Sequence, residues 1–392
     1  MFFLNYLKRI ANVATRECGI LIHNRIYLIC MVILPLIVTV YFTSLMSEGQ
    51  PTDMPVGIVD NDNTATTRSM ARKLDAFQST KIVKRYVSAD QARKAIQRNE
   101  IYAFLYIPEG TTSALLSMRQ PKISFYYSSA SLTAGALLYR DLKTISTLGS
   151  ASVAASVLSA KGLTEKQISG FLQPIIIDFH SINNPAVNYN IYLSTMLIPG
   201  CLMLFIFLVT VYSIGTELKF GTSKKWMELS GNNIFVALAG KILPQTLVFL
   251  TIFYAYMFYV FGVLEFPHLG GYVDIMLLGL LAVAASQGFG IFMFGLIPSL
   301  RMSLSLCCLW AVLSFSLVGT AFPVSAMDSP IQAIAQLFPL RHYFMIYQIN
   351  IFNGYSAVYS WLNIASLVIF ATLPLLVAKR IKKAMNEYKY LP

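Results

Sequence analysis

Charged residues are scarce in this chain of 392 residues: they make up 12% of the positions, whereas soluble domains contain about 25%. Hydrophobic residues reach 56%, and the mean hydropathy is +0.60. This composition excludes an ordinary soluble protein and predicts a polytopic membrane protein. Acidic residues are the rarest charged class, 18 against 30 basic ones. Because much of the basic excess lies beside apolar runs, where it would orient them and contact anionic lipid, we expect membrane lipid and no nucleic acid as a partner.

Cysteine is also rare, and it is absent from the one long polar region, residues 47–190. A disulfide framework is therefore excluded there, and that region must be held by its own core. Cys307 and Cys308 lie together in an apolar run. We interpret them as small apolar residues on a membrane helix rather than as a redox pair.

The motifs of nucleotide binding and hydrolysis are missing. No G-x-x-x-x-G-K-[ST] loop occurs to hold phosphates, and neither G-x-S-x-G nor H-E-x-x-H is present. We therefore predict no catalytic residues, no metal site and no directly bound cofactor. The apolar runs contain almost no ionisable residues, whereas proton-coupled carriers normally keep some inside the membrane. If the protein transports a molecule, the energy is expected to come from a separate subunit.

The first 46 residues predict an interfacial helix followed by a membrane helix. In residues 1–25, apolar positions recur at helical spacing and basic ones fall elsewhere on the wheel, which indicates a basic amphipathic helix lying in the interface. Residues 26–46 contain no charge and are long enough to cross the bilayer. The alternative is a signal peptide, but its lead-in would be too long and no small-residue cleavage site follows. The basic lead-in places the N-terminus inside.

Residues 47–190 predict an extracytoplasmic α/β domain. Short β-rich runs alternate with helical ones, which favours a compact domain with a partly parallel sheet. Asp60, Asp62 and Asn63 resemble the start of a calcium loop, but no glycine or closing glutamate follows, so we predict a strand-to-helix turn. His180 is interpreted as a boundary residue. The predicted strands are 55–59, 82–87, 103–107 and 122–127, with a possible fifth at 175–179, and the predicted helices are 64–77, 88–99 and 132–160.

Residues 191–378 predict five further membrane helices. The fold class is thus membrane α-helical, with six transmembrane helices and an inserted extracytoplasmic α/β domain. Both termini are expected in the cytoplasm, and residues 379–392 form a basic tail there. Residues 329–345, which begin with an apolar stretch bounded by Pro330 and Pro339, suit an outer re-entrant pair of half-helices; an ordinary outer loop is the alternative. The five predicted spans are 192–214, 242–264, 275–300, 302–327 and 359–378.

The loop of residues 215–235 joins two long apolar runs and concentrates charge between them. Gly221 and Thr222 are expected to break the helix, Trp226 to be an exposed amphipathic anchor, and Glu217 to lie at the membrane edge. The candidate functional residues of this loop are Glu217, Lys219, Gly221, Thr222, Lys224, Lys225 and Trp226.

Over nearly its whole length the chain resembles a permease subunit of the type-2 ABC exporter family, in the multidrug-export branch with a large periplasmic domain. The order and spacing of four short segments within the right topology carry the resemblance. They are residues 55–60 (PVGIVD), 217–222 (ELKFGT), 240–244 (GKILP) and 338–344 (FPLRHYF). The family often has an acidic pair, or an acidic residue and arginine, before Gly-Thr, whereas Leu218, Lys219 and Phe220 stand there in this chain.

The resemblance implies a subunit of the bacterial inner membrane that moves a hydrophobic or amphipathic small molecule outward. It implies a second permease protomer, identical or paralogous, and two ATP-binding-cassette subunits that bind and hydrolyse ATP. Residues 217–226 would then be the coupling element, and residues 47–190 would be periplasmic. A periplasmic adaptor and an outer-membrane channel are further partners that the branch implies.

A second hypothesis is a non-transporting membrane receptor or scaffold with an extracytoplasmic α/β domain. This hypothesis expects the 215–235 loop to be expendable, whereas the exporter hypothesis expects it to be essential. An intramembrane enzyme is the weakest alternative, because the sequence shows no catalytic constellation.

Overall fold

In the part of the chain that the computed structural model describes, six helices are long and apolar enough to cross a membrane. They confirm the membrane α-helical class. The structure describes residues 2–117, 119–173, 180 and 182–388. The chain forms two units, which are described separately: Met1–Ser47 with Ile182–Pro392, and Glu48–Ser181. All six candidate membrane helices belong to the first unit.

The first unit begins with helix α1 (Phe2–His23), followed by the candidate span α2 (Arg25–Leu45). The Asn24 side chain caps α2 by accepting a hydrogen bond from the Ile26 amide, so the two helices are separated by a single capping residue. The predicted amphipathic helix is present, and one of its faces packs against protein. Val13 and Glu17 are buried there.

The second unit contains a four-stranded sheet with the order β2-β1-β3-β4. Strand β1 pairs in parallel with β2 and β3, and β3 pairs antiparallel with β4. The parallel pairs are joined through helices, as parallel neighbours require. The elements are β1 (Met54–Asp60), α3 (Ala65–Asp75), β2 (Thr80–Arg85), α4 (Ala89–Gln97), β3 (Ala103–Ile107), α5 (Thr111–Leu116), β4 (Ser124–Tyr127), α6 (Leu132–Ala160) and α7 (Glu165–Leu172).

These elements lie close to their predicted positions, and α6 has the predicted bounds. The short helices α5 and α7 are not predicted. The possible strand at 175–179 lies outside the described residues. Side chains alternate between the two faces of the sheet: Val56 and Ile58 pack with α3 and α6, whereas Val59 and Phe104 pack with α4. The sheet is therefore covered by helices on both sides.

Asp60 and Asp62 form a strand-to-helix turn, as predicted. The Asp60 carboxylate accepts hydrogen bonds from the amides of Asp62 and Asn63. The Asp62 carboxylate accepts from the hydroxyl and the amide of Thr112, and the hydroxyl bond is the main cause that lowers the pKa of Asp62. The carboxylates thus organise backbone turns, and among the described residues no group of three potential ligands could hold a metal ion.

The rest of the first unit is built around helix α11, which is mostly buried. Gly288 lets α11 approach the last helix closely, since a Cβ atom at this position would collide with the carbonyl of Phe370. The elements are α8 (Tyr189–Lys219), α9 (Ser223–Leu229), α10 (Ile234–Val263), α11 (Tyr272–Leu296), α12 (Leu300–Leu317), α13 (Ser329–Ala335), α14 (Pro339–Ile346) and α15 (Ala357–Glu387).

The largest differences from prediction lie at the ends of three membrane helices. Helix α10 begins at Ile234 rather than at residue 242, so Lys241 lies inside it. Helix α12 ends at Leu317 rather than at residue 327, close to Gly319, whose φ of 104° is unfavourable for other residues. Helix α15 continues to Glu387, so the basic residues after position 378 belong to a helix. In the segment predicted to be re-entrant, the short helices α13 and α14 are present.

Candidate functional site

The junction between α8 and α9 is a sharp, well-defined turn. Gly221 has φ of 67°, its amide donates to the Leu218 carbonyl, and the Thr222 amide donates to the Glu217 carbonyl. This is the Schellman pattern of hydrogen bonds, in which glycine takes the left-handed position just beyond the helix. The predicted helix break at Gly221 and Thr222 therefore occurs where the structure needs a glycine.

The predicted loop largely consists of helix. Glu217 and Lys219 belong to the last turn of α8, and residues 223–229 form α9. Helix α9 has two different faces: Lys224 and Lys225 are exposed, whereas Trp226 is fully buried. The prediction of an exposed Trp226 anchor is wrong. The indole is large and apolar enough that a short helix next to a packed bundle gains most by burying it.

Under α9 lies a buried charge cluster made of Arg16, Glu17, Glu217 and Lys241. The Lys241 ammonium is at the centre, since its Nζ donates to Glu17 Oε2 at 2.6 Å and to Glu217 Oε1 at 2.8 Å. Arg16 binds the same Glu217 with both guanidinium nitrogens, at 2.8 and 2.9 Å. The side chains of Glu17 and Lys241 are each 1% exposed. Three helices, α1, α8 and α10, thus meet through charged groups.

Polar neighbours complete the hydrogen bonds of both carboxylates. Gln245 Nε2 donates to Glu17 Oε1 at 3.1 Å, and Thr222 Oγ1 donates to Glu217 Oε2 at 2.5 Å. Partial burial by itself would lower the pKa of Arg16, but the hydrogen bonds and charge of Glu217, assisted by Glu17, raise it. The guanidinium therefore stays charged, and the two positive groups balance the two negative groups.

Each charge in the cluster depends on an oppositely charged partner. Desolvating an ion costs several kcal/mol even after relaxation, and a partner at hydrogen-bond distance offsets that cost. Here every charged group has at least one oppositely charged partner within 3 Å. We infer that the cluster fixes the register of α1, α8 and α10 relative to one another, because withdrawing Lys241 would leave the buried Glu17 without its paired cation.

Trp226 connects α9 to the charge cluster. The Lys241 ammonium lies 5.2 Å from the centre of the Trp226 ring, which is within the range of a cation–π contact. A displacement of α9 would therefore be transmitted to Lys241, and through it to both carboxylates. Thr222 provides a second connection, from the turn before α9 to Glu217.

Close packing of α1 on α10 positions the cluster. A Cβ atom at Gly240 would lie 2.6 Å from Val13 Cβ and 2.9 Å from the Ile10 carbonyl oxygen. We expect Gly240→Ala to force α1 away from α10 and to lower the free energy of unfolding by about 1–3 kcal/mol. Thermal melting of the purified chain measures this loss, and limited proteolysis reports the release of α1. The matched control is Ala239→Leu at an exposed position of the same helix, and equal melting temperatures for the two variants would contradict the packing argument.

The seven candidate residues fall into two groups. Glu217, Thr222 and Trp226 belong to the buried side of the junction, whereas Lys219, Gly221, Lys224 and Lys225 are exposed. Sequence reasoning missed Arg16 as a site residue, and it also missed Glu17 and Lys241. A signal for the last two was present: Glu17 is the only acidic residue before Glu48, and Lys241 is the only charged residue between Glu228 and Glu265. Each is an isolated charge whose helical neighbours are mainly apolar, so each needs a partner from another helix.

The aromatic residues of α8 and α10 serve mainly in packing. The Phe207 ring lies 5.0 Å from that of Phe289, and the Phe253 ring lies 5.8 Å from that of Tyr343. Phe207 and Phe253 are buried, as is Tyr256, the T-shaped neighbour of Phe253. These contacts hold α8, α10, α11 and α14 together and assign no aromatic residue to a substrate.

Comparison with known proteins agrees with this arrangement of membrane helices. The sequence model of the family described as "ABC-2 family transporter protein" matches residues 25–379. A search of the curated proteins finds no match. The family match covers all six candidate membrane helices except the end of α15, together with the inserted unit.

Proposed function

The chain belongs to the ABC-2 transporter family, whose members are membrane permeases of ABC transporters, and we propose that it couples ATP hydrolysis on separate ATPase subunits to outward transport. The observation that carries this proposal is the charge cluster beneath α9. It joins three helix ends to one short helix whose opposite face is exposed.

The exposed face of the junction has the chemistry of a docking surface. Phe220 is 67% exposed, and its neighbours Lys219, Lys224 and Lys225 are exposed too. An exposed aromatic residue among basic side chains suits a pocket with an apolar floor and acidic rim on another protein. We propose that an ABC ATPase subunit supplies that pocket.

Movement would pass from this surface into the membrane helices as a rigid-body shift. When ATPase closure displaces α9, Trp226 carries the force to Lys241 and the Schellman turn carries it to Glu217. Because Lys241 bonds to Glu17 and Glu217 together, α1, α8 and α10 would tilt as one body. Tilting of these helices would open a path for cargo at an interface with a second permease protomer.

The proposal includes the location of the protein, its orientation, its partners and its cargo. We place the protein in a bacterial inner membrane, with both termini and α9 in the cytoplasm and residues 47–190 in the periplasm. The excess of Lys and Arg near the cytoplasmic ends supports this orientation. The complex would contain two ATPase subunits, which bind the ATP, and two permease protomers, with a periplasmic adaptor and an outer-membrane channel as further partners. The cargo would be a hydrophobic or amphipathic small molecule.

The docking proposal is tested by purifying the tagged full chain from its native cells and identifying bound proteins by mass spectrometry. We expect an ABC ATPase to co-purify. The triple substitution Phe220→Ser, Lys224→Ala and Lys225→Ala should reduce the recovered ATPase by roughly tenfold or more, because it removes an aromatic anchor and two charges from one small surface. Melting temperature should change little, since all three side chains are exposed.

A matched control is Lys84→Ala with Lys94→Ala, which removes two exposed charges from the second unit. Equal ATPase recovery from the wild type and the triple variant would contradict the docking surface. ATP-independent transport by the purified chain alone in liposomes would contradict a separate energy source. An intact cellular function after scrambling residues 217–226 would favour the receptor or scaffold hypothesis.

A further inference from the structure

Helix α6 is too long for the sheet on which it packs. Its 29 residues extend over about 44 Å, whereas the longest strand, β1, has 7 residues and extends over about 23 Å. The N-terminal part of α6 packs on the sheet through Leu138 and Leu142. Much of its C-terminal part therefore extends past the sheet, and α7 packs against α6 there.

A groove of about 1680 Å³ lies along α6 in this unit. It is lined by α3, by residues 119–124 before β4, by α6 and by α7. Drug-sized pockets measure roughly 300–1,000 Å³, so this groove is large enough for a ligand with a long chain. All the described residues that line it belong to the second unit.

The groove offers apolar contacts along its length. Met70, Phe77 and Ile123 contribute, and Leu148 and Phe171 leave 57% and 72% of their surface uncovered. Such large apolar side chains are costly to leave exposed in a unit with an otherwise soluble composition. They would be covered by an apolar ligand.

Two hydroxyls on the α6 wall already donate hydrogen bonds within the helix. The hydroxyl of Ser150 donates to the Ser146 carbonyl, and that of Ser152 donates to the Gly149 carbonyl. These two hydroxyls are therefore not free to donate to the carbonyl groups of a bound peptide. A peptide backbone would need such donors on leaving water for the groove. An alkyl chain needs none, and this favours an acyl chain over a partner's polypeptide.

The described charged residues that line the groove are all positive. Lys73 comes from α3, Arg119 and Lys122 come from the segment before β4, and Lys161 follows α6. Among the described residues, no aspartate or glutamate lines the groove, and none of the four cations forms an ion pair. Four exposed cations without acidic partners around an apolar groove create a site for an anionic head group.

We propose that this groove binds an anionic amphiphile: its acyl chain lies along α6 and α7, and its carboxylate or phosphate head group is held by Lys73, Arg119, Lys122 and Lys161. The proposal is independent of the coupling role of α9, because all the residues involved belong to the second unit. The ligand chemistry fits both a free fatty acid and a phosphate-headed lipid, and the test separates these two sources.

The binding test uses the full chain in nanodiscs of phosphatidylcholine. The first probe is cis-parinaric acid, whose fluorescence rises in an apolar environment, and its uncharged methyl ester is the paired control. The second probe is phosphatidic acid with a photoreactive acyl chain, and its cross-links are mapped by mass spectrometry. We expect at least one of the two anionic probes to bind and the ester to bind about tenfold more weakly than the acid. Cross-links are expected on residues 145–158 or 171–172.

Two variants test the site itself. Replacing Lys73, Arg119, Lys122 and Lys161 with glutamine should weaken the anionic probes about tenfold, whereas the same change at Lys84, Arg85, Lys94 and Arg98, exposed residues outside the groove, should not. Gly149→Leu should block the groove. A Cβ atom at this position would lie 3.9 Å from Met70 Cε, and both residues line the groove, so the rest of the leucine side chain would fill it. Leucine also favours the helix more than glycine does, so a lost signal would not reflect unfolding.

Three results would overturn the proposal. The first is equal affinity for the acid and its ester. The second is unchanged binding in both the glutamine and the Gly149→Leu variants. The third is capture of an acidic peptide of a co-purifying protein in the groove, with no lipid cross-link there. If neither anionic probe binds but the ATPase still co-purifies, the groove proposal fails and the docking surface on α9 stands. If the probes bind but no ATPase co-purifies, the docking surface fails and the groove proposal stands.

Discussion

Replacing Lys241 with methionine is expected to lower the free energy of unfolding by about 3–5 kcal/mol. The substitution keeps the length and apolar stem of the side chain, so packing changes little. Among the described residues, it removes the only cation that bonds to Glu17, whose side chain is 1% exposed. Glu17 would then be a buried carboxylate with Gln245 as its remaining hydrogen-bond donor. Glu217 keeps Arg16 and Thr222, so most of the loss arises at Glu17.

A second substitution distinguishes this explanation from a simple loss of packing. Glu17→Gln added to Lys241→Met removes the unpaired charge and leaves the Arg16–Glu217 pair intact. The double variant should recover to within about 1 kcal/mol of the wild type, because a buried ion pair can be replaced by neutral groups at little net cost. Thermal melting of the wild type, the two single variants and the double variant in the same detergent gives the coupling energy.

The exposed Lys224 is the matched control for this experiment. Lys224→Met changes the same residue type in the same way on the surface of α9, so its melting temperature should stay near that of the wild type. If the Lys241 and Lys224 variants melt alike, the charge cluster does not stabilise the bundle. If the double variant is less stable than both single ones, the pairing of Lys241 with Glu17 is not the reason for the loss.

Replacing Trp226 with alanine is expected to have the other large effect. Trp226 is fully buried, and truncation of such a side chain costs about 3–5 kcal/mol through the lost contacts and the cavity that remains. The variant also loses the cation–π contact with Lys241. We therefore expect a lower melting temperature together with the loss of ATPase stimulation by cargo.

Trp226→Phe separates the mechanical role of the indole from its role in packing. Phenylalanine retains an aromatic face for Lys241 and most of the apolar contact, so stability should fall by no more than about 1–3 kcal/mol and coupling should persist. Trp226 Nε1 has no hydrogen-bond partner among the described residues, so the loss of this donor costs little. Full coupling in Trp226→Ala, measured as cargo-stimulated ATPase activity of the assembled complex, would contradict the proposed transmission through this side chain.

We expect opposite phenotypes from substitutions at neighbouring residues of the short helix α9. Substitution at Lys224 and Lys225 should preserve the fold and reduce ATPase binding, whereas substitution at Trp226 should destabilise the fold. This contrast arises because α9 has seven residues and turns one face towards the charge cluster and the other outwards. A receptor or scaffold would need the buried face only.

Gly221 and Trp226 of the 215–235 loop show where prediction from sequence succeeds and where it fails. Gly221 is expected to break the helix because glycine adopts the left-handed backbone without a steric penalty, and a local rule of this kind can be read from a single position. The exposure of Trp226 was predicted wrongly because burial depends on what packs against a residue. That neighbour, Lys241, is 15 positions away along the chain and was itself placed outside the membrane helix.

The predicted span 242–264 begins directly after Lys241, in keeping with the rule that an isolated lysine is costly inside an apolar helix. The rule is sound for a single helix, and the structure overrides it with partners from two others. Glu17 comes from a helix more than two hundred residues earlier in the chain, and Glu217 comes from the preceding membrane helix. Nothing in the residues around Lys241 specifies either partner.

The sequence by itself determined the membrane class of this protein, its six apolar spans and the positions of most helices and strands. These features follow from hydropathy, from side-chain periodicity and from the local preferences of glycine and capping residues, all of which act over a few neighbouring positions. Only the tertiary structure decided that Arg16, Glu17, Glu217 and Lys241 form one charge cluster under a buried Trp226. Such a cluster depends on the register of three packed helices, and the desolvation of its charges is tolerable only when each one meets an opposite charge.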